Sequence, residues 1–323
     1  MNNLIGDIGG TNTRLALAAA GEPRWDRLET YRNDDYESLA AVIEEYLGAD
    51  GSACEAAALA VAGPVRRGVA KLTNRDWTIS ASTLRERFRW KHCTVVNDFS
   101  AVALAIPALR ATDLEQTGGG ERDAEEPVAI LGPGTGLGVA GLIPGADGGR
   151  VLVTEGGHAT ATAIGERSAA ICDRLRRRFG HVSIERIVSG QGMENIYRAI
   201  GELDGKNVEA RSAAEIGEAA MQGDDPVAAE TMEQFFALLG AAAGNLALTY
   251  GAFGGVYIAG GIVPRYLPLF RCSRFRESFE AKGRLSGYVR AIPAFVILHE
   301  EVELLGLAAS LAARGAGRAW PRV

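Results

Sequence analysis

Residues 4–18 read LIGDIGGTNTRLALA and residues 128–143 read VAILGPGTGLGVAGLI. Both follow one plan, an apolar run, a glycine-rich turn and a second apolar run. Polar–apolar alternation over Arg14–Ala18 marks a strand leaving the first turn, so each stretch is predicted to be a strand–turn–strand hairpin. Glycines carry no Cβ, which lets backbone N–H groups close on a phosphate. A plain hairpin turn is the competing reading of Gly9-Gly10 taken alone. Two copies placed so far apart are no short-period repeat. They point to two lobes, each with its own hairpin.

Working outward, the chain of 323 residues is long for one core. Further strands are predicted at Ala57–Val61, Cys93–Val96, Val151–Val153, Val256–Ala259 and Ala294–Leu298. Helices are predicted at Tyr36–Leu47, Ser82–Phe88, Ser100–Ile106, Ile164–Phe179, Gly192–Ile200, Ser212–Met221 and Val302–Ala313, with one or two more in Asp225–Tyr250. Strands interleaved with helices make an α/β chain. Thr112–Glu126 is rich in glycine and charge and reads as a loop or lobe boundary.

Hydrophobic residues at 47% and charged residues at 23% suit a folded globular chain. A net charge of -6 argues against a nucleic-acid partner. Cys54, Cys93, Cys172 and Cys272 are scattered, with no metal-binding Cys pair and no disulfide framework. The first residues lack a basic-then-apolar leader, so no signal peptide is expected. Gln234–Pro264 carries no charge, but its seven glycines, Asn245 and Thr249 argue against a membrane span. It is predicted to be a helix, a break at Tyr250–Gly255, and a strand. A cytoplasmic location is expected, with no membrane partner.

Several side chains could do chemistry. Asp7, at the mouth of the first glycine turn, is an acceptor-only carboxylate suited to Mg²⁺, and Thr11 adds a hydroxyl. The second turn, Gly132–Gly138, lacks the lysine of a P-loop and does not open a helix as a dinucleotide loop does. Gly260-Gly261 follows a strand, where a nucleotide base could lie on bare backbone. Asn97-Asp98 also follows a strand; Asp98 can take a proton from a hydroxyl, or the pair can simply cap the next helix. Glu155 and His158 lie on a Gly-Gly turn and can converge on a small polar ligand, unless that turn is only a turn. Zinc lacks a third ligand at suitable spacing. Glu185 is undecided from its surroundings alone. Arg174, Arg176, Arg177 and Arg178 read as a solvated helix face.

These motifs together resemble the zinc-independent bacterial glucokinase family. Similar stretches run in order through GDIGGTNTRLAL (6–17), VNDFSAVALAIP (96–107), LGPGTGLGVAGL (131–142), TEGGHA (154–159), ERIVSGQGMENIYRAI (185–200) and YIAGGIVPR (257–265). The resemblance implies a two-lobe actin-like ATPase (ribonuclease H-like) fold with a central nucleotide and sugar cleft. Residues 1–109 with 302–323 would form the small lobe and 110–301 the large lobe. It implies ATP-dependent phosphorylation of D-glucose at its 6-hydroxyl, with Mg²⁺, in a homodimer. Asp98 would be the catalytic base. Asn97, Glu155, His158 and Glu185 would hydrogen-bond glucose. Gly6, Asp7, Ile8, Gly9, Gly10 and Thr11 would hold the phosphates, with Asp7 meeting Mg²⁺ directly or through water. Gly134, Thr135 and Gly136 would close over the phosphates, and Gly260 and Gly261 would lie near adenosine. Gln191 departs from this pattern, which leads one to expect proline there. The related repressor–kinase family carries a Cys-rich zinc segment and, in its repressors, a helix-turn-helix; this sequence displays neither. A kinase for another hexose would share the ATP loops. An actin-like ATPase switch would leave Asn97, Asp98, Glu155 and His158 without a purpose.

Overall fold

The computed structural model describes residues 2–48, 54–72, 75–145 and 149–315. Residues 1 and 316–323, the ends of the expected small lobe, lie outside them. The elements in chain order are β1 (Asn2–Ile8), β2 (Asn12–Ala19), β3 (Trp25–Arg32), α1 (Leu39–Leu47), β4 (Cys54–Val61), the short β5 (Val65–Arg66), β6 (Val69–Lys71) and β7 (Thr78–Ser80), α2 (Ala81–Arg87), β8 (His92–Asn97) and α3 (Asp98–Ala105). Then come β9 (Leu114–Gln116), β10 (Val128–Pro133), β11 (Leu137–Ile143), β12 (Arg150–Val153), α4 (Glu166–Phe179), α5 (Gly190–Leu203), α6 (Ala213–Gln222), α7 (Pro226–Tyr250) and β13 (Val256–Ile258). The chain ends with the short α8 (Ile262–Arg265), α9 (Leu267–Arg271), α10 (Phe275–Glu280) and α11 (Ser286–Ala291), β14 (Ala294–Ile297) and α12 (Val302–Gly315). It divides into two compact units, one of Met1–Arg110, Leu142–Val153 and His299–Val323, the other of Ala111–Gly141 and Thr154–Leu298.

The first unit is built on a five-stranded sheet ordered β3-β2-β1-β4-β8. β1 pairs antiparallel with β2 across the glycine turn and parallel with β4, which pairs parallel with β8. Side chains alternate across a strand, and the sheet is covered on both faces. Leu4, Ile8 and Leu15 pack with Leu39, Val42 and Ile43 of α1 on one side. Ile5, Ala16 and Ala18 pack with Leu304, Leu307, Ala308 and Leu311 of α12 on the other. Double coverage explains why β4 reads as an unbroken apolar run from Ala56 to Val61. Gly306 lets α12 lie directly on α3; a Cβ there would stand 1.9 Å from the Ala101 carbonyl oxygen.

A second sheet is ordered β12-β11-β10-β13-β14-β9. β10 pairs parallel with β13 and β13 with β14, while β9 closes the edge antiparallel to β14. Its run β11-β10-β13-β14 repeats the run β2-β1-β4-β8, so the echo read from residues 4–18 and 128–143 is an echo of topology. Thr112–Glu126, expected to be a loop or lobe boundary, is irregular over residues 117–126 but contributes β9 at Leu114–Gln116. Three residues with one apolar side chain give no period to read, and pairing with β14 decides their state.

The core of the second unit lies around α7, with Phe235, Phe236 and Leu239 fully buried. Asp225 caps this helix by accepting from Val227 N at 2.8 Å, Pro226 occupies its first turn, and Gly251 ends it in the left-handed conformation. Its small residues serve packing: a Cβ at Gly240 would stand 2.1 Å from the Phe275 carbonyl oxygen of α10. The uncharged stretch thus divides into α7 and β13. Among the described residues no helix is long and apolar enough to cross a membrane.

Candidate active site

In the first unit the loop between β1 and β2 is braced from below. Gly9 N donates to the Asn12 carbonyl at 3.0 Å. The buried Asn33 donates from Nδ2 to the Gly9 carbonyl at 2.9 Å and accepts from Thr13 Oγ1 at 2.7 Å. Asn33 N in turn donates to the Thr11 carbonyl. These bonds fix the turn from beneath, while Thr11 itself stays exposed. Gly6 and Ile8 are buried strand residues of β1, and Gly9 and Gly10 are half-buried.

Asp7 leaves the same strand and meets Arg14, which pairs opposite it on β2. Arg14 Nε and Nη2 both donate to Asp7 Oδ2, at 3.1 and 2.7 Å. Nη2 also lies 3.8 Å from Glu303 Oε2, in the first turn of α12. Burial alone would lower the Arg14 pKa, but Asp7 and Glu303 hold it above its usual value. Burial, reinforced by the Asp7 charge, pushes the Glu303 carboxyl up to about 7.

Asp98 opens α3 directly after β8. Its Oδ1 accepts from Phe99 N at 2.9 Å, as does Asn97 Oδ1. Asn97 Nδ2 donates to the Gly63 carbonyl at 3.1 Å. Asn97 therefore does act as the helix cap, and this fixes the corner from which Asp98 projects. Burial raises the Asp98 carboxyl to about 6; the Phe99 N–H opposes the rise and the Asp7 charge adds to it. A carboxylate poised near neutrality is suited to taking a proton from a hydroxyl.

The second unit gathers Glu155, His158, Glu185 and the second glycine turn. Glu185 N donates to the Gly157 carbonyl at 2.9 Å, tying its segment to the Glu155–His158 turn. Glu185 Oε1 lies 3.8 Å from His158 Nδ1. Glu185 Oε2 accepts from Leu137 N at 2.9 Å. Gly136 makes that possible, since a Cβ there would stand 2.6 Å from Glu185 Oε2. Glu155 and His158 are exposed. Gly134 N donates to the Gly136 carbonyl, its own carbonyl accepts from Gly190 N, and Thr135 is exposed at the tip. Gly260 has φ +82° and sits against Pro133, where a Cβ would stand 2.5 Å from the carbonyl oxygen. Gly261 has open space where a Cβ would be.

Sequence reasoning missed Asn33, Arg14 and Glu303. Arg14 alternates as any strand residue would. Glu303 looks like an ordinary acid in the first turn of a helix. Nothing in the chain order signals that residues 14 and 303 meet at Asp7.

Asp7 Oδ2 is taken by Arg14, whereas Oδ1 has no hydrogen-bond partner among the described residues. One such oxygen fits a hydrated Mg²⁺, which takes one or two carboxylates plus phosphate oxygens rather than an all-protein cage. No cluster of three His, Cys, Asp or Glu able to hold a metal occurs among the described residues.

A family model described as Glucokinase matches residues 4–314. The glucokinase of Pectobacterium atrosepticum is 43% identical over 308 residues, covering 95% of this chain and 96% of that one. The crystal structure of a glucokinase from an Antarctic psychrotroph matches with a TM-score of 0.88 at 37% identity, covering 96% of this chain and 98% of that one. A ROK family glucokinase from Streptomyces griseus, in complex with glucose and AMPPNP, shares the fold with a TM-score of 0.64 at 20% identity, covering 97% of this chain and 100% of that one.

Proposed function

This chain belongs to the glucokinase family and phosphorylates glucose with ATP; we propose that the 6-hydroxyl of D-glucose is the acceptor and Asp98 the base that activates it. The observation that carries this is the half-buried Asp98 at the start of α3, directly after β8, with a carboxyl raised to about 6. The finer fold proposed is that of the actin-like ATPases, with residues 1–109 and 302–323 as small lobe and 110–301 as large lobe.

The roles divide by unit. In the first, the turn that follows β1 offers the Gly10 and Thr11 N–H groups to phosphate oxygens, since Gly6, Asp7 and Ile8 are paired strand residues and Gly9 N is taken by the Asn12 carbonyl, and Asp98 orients the acceptor oxygen and takes its proton. In the second, the Glu155 and Glu185 carboxylates accept from sugar hydroxyls and the His158 ring bonds another; in the first, Asn97 offers its remaining amide hydrogen to a hydroxyl. Gly134, Thr135 and Gly136 form the second phosphate loop, and Gly260 and Gly261 lie against adenosine. Asp7 would hold Mg²⁺, which when bound would supply neutralisation of the phosphate charge, part of the electrostatic stabilisation that phosphoryl transfer relies on. A cytoplasmic homodimer is part of the same reading.

Coupled measurement of ADP release across sugars tests it. Glucose is expected to outrun fructose, galactose and N-acetylmannosamine, because a site built to bond a hydroxyl rejects its absence by about 10⁴-fold. Equal rates for all four, or ATP hydrolysis indifferent to sugar, would refute the substrate assignment.

A further inference from the structure

The basic run on α4 is solvent-facing as expected, with Arg176, Arg177 and Arg178 exposed and Arg174 half-buried, but its members differ in their partners. Arg176 turns to Asp173, one turn back, and forms an ion pair. Arg174, Arg177 and Arg178 instead line a cavity of about 300 Å³ together with Arg198 and Glu202 of α5. Arg174, Arg177 and Arg198 have no carboxylate within ion-pair distance among the described residues. Arg178 spreads its guanidinium over the Phe179 ring at 4.8 Å, and Arg186 covers the same ring at 4.3 Å. Four guanidinium groups face one carboxylate here, in a chain whose net charge is -6. Unpaired arginines held side by side repel one another, and an anion removes that repulsion.

The floor of the cavity narrows the choice of anion. Asn195 lines it and is only 4% exposed. Its Nδ2 donates to the Arg186 carbonyl at 3.0 Å, which leaves Oδ1 as an acceptor without a partner among the described residues. That oxygen is not one of the buried unpaired polar atoms, so water reaches it through the cavity, and a ligand hydroxyl can take the water's place. The Glu202 carboxylate is a second acceptor. Inorganic phosphate near neutral pH carries hydroxyls only on its own phosphorus, whereas a phosphate ester of a polyol also presents hydroxyls several bonds from the charge and so meets separated donors and acceptors together. The volume lies at the small end of ligand pockets and admits a molecule of hexose size.

We propose that the cavity between α4 and α5 is a binding site for a small phosphate ester carrying free hydroxyl groups. The site stands on its own residues and does not require the glucokinase reading. It also has a route to that chemistry. Asn195 holds the carbonyl of Arg186, next to Glu185, and the first residue of α5 donates from Gly190 N to the Gly134 carbonyl. A ligand drawing on Asn195 therefore acts on the segment that carries Glu185.

Isothermal titration of the full chain with fructose 6-phosphate, without ATP, tests the site. One saturable site is expected, weakened at least about tenfold in the double variant Arg177→Glu, Arg198→Glu, since each charged hydrogen bond contributes on this scale. Fructose and inorganic phosphate are each expected to bind at least about tenfold more weakly than the ester. The milder pair Arg177→Gln, Arg198→Gln, checked for native circular dichroism, is expected to lose affinity in the same direction. Absence of binding by the ester, unchanged affinity in the glutamine pair, or inorganic phosphate binding as well as the ester would each overturn the proposal. So would binding that survives the charge reversal and is displaced by glucose, because the ester would then occupy the glucose site. Saturating ester is expected to shift the KM for glucose in the parent chain and not in the double variant; no shift in the parent would refute the route through Asn195.

Discussion

Replacing Asp98 with asparagine should separate catalysis from stability. The side chain keeps its shape, and its Oδ1 can still accept from Phe99 N, so the corner between β8 and α3 survives. The folded carboxyl sits at about 6 against an ordinary 3.8, chiefly because it is buried. Its folded pKa is raised, so the neutral form is the one the fold prefers. The cost of holding it ionised grows from about pH 4 and is complete above about pH 7. A gap of about two pKa units corresponds to about 3 kcal/mol at pH 8, falling to about 1 kcal/mol at pH 4.5. An asparagine side chain carries no charge and escapes that cost. The Asp98→Asn chain is therefore expected to resist urea better than the parent at pH 8, with most of the advantage gone by pH 4.5. Turnover should fall by about 10²–10⁴-fold, the usual contribution of a positioned base. Urea titrations at the two pH values and initial rates of ADP release check both halves. Near-native turnover would remove Asp98 from the chemistry. A stability difference independent of pH would refute the account of its burial.

Three further outcomes follow from the same geometry. Arg14→Gln removes the cation between Asp7 and Glu303, and is expected to cost about 1–3 kcal/mol at pH 8; because the Glu303 carboxyl is already raised to about 7, it protonates as the pH falls and the deficit should shrink by pH 5.5, which denaturant midpoints would register. Glu185→Ala leaves Leu137 N without its acceptor and removes an expected glucose contact, so the Kd for glucose should rise at least about tenfold with that for ATP little changed, while Glu185→Gln, whose amide oxygen still accepts, should lie between; equal Kd values by titration would take Glu185 out of the sugar site. Gly306→Ala drives a methyl to within 1.9 Å of the Ala101 carbonyl oxygen, and the forced separation of α12 from α3 is expected to cost about 2 kcal/mol or more, seen as a lower melting temperature with parent-like kinetic constants in the folded fraction.

The sequence by itself determined the parts whose signals are local. The two glycine hairpins, the strand end at Asn97-Asp98, the break after Tyr250 and the helix starts at Ser212 and Asp225 are written in a few adjacent residues, because turns, helix starts and strand alternation are interactions between near neighbours. The α/β class and its internal echo followed from those parts. Tertiary structure decided what depends on residues far apart in the chain. It placed Asn33 under the first glycine loop and brought Arg14 and Glu303 to Asp7. It also gave β9 its strand state through β14. It turned a basic helix face into the wall of a cavity by setting Arg198 and Asn195 of α5 against it. No local pattern encodes such meetings, since a charge or an amide on a helix looks the same in sequence whether water or another helix faces it.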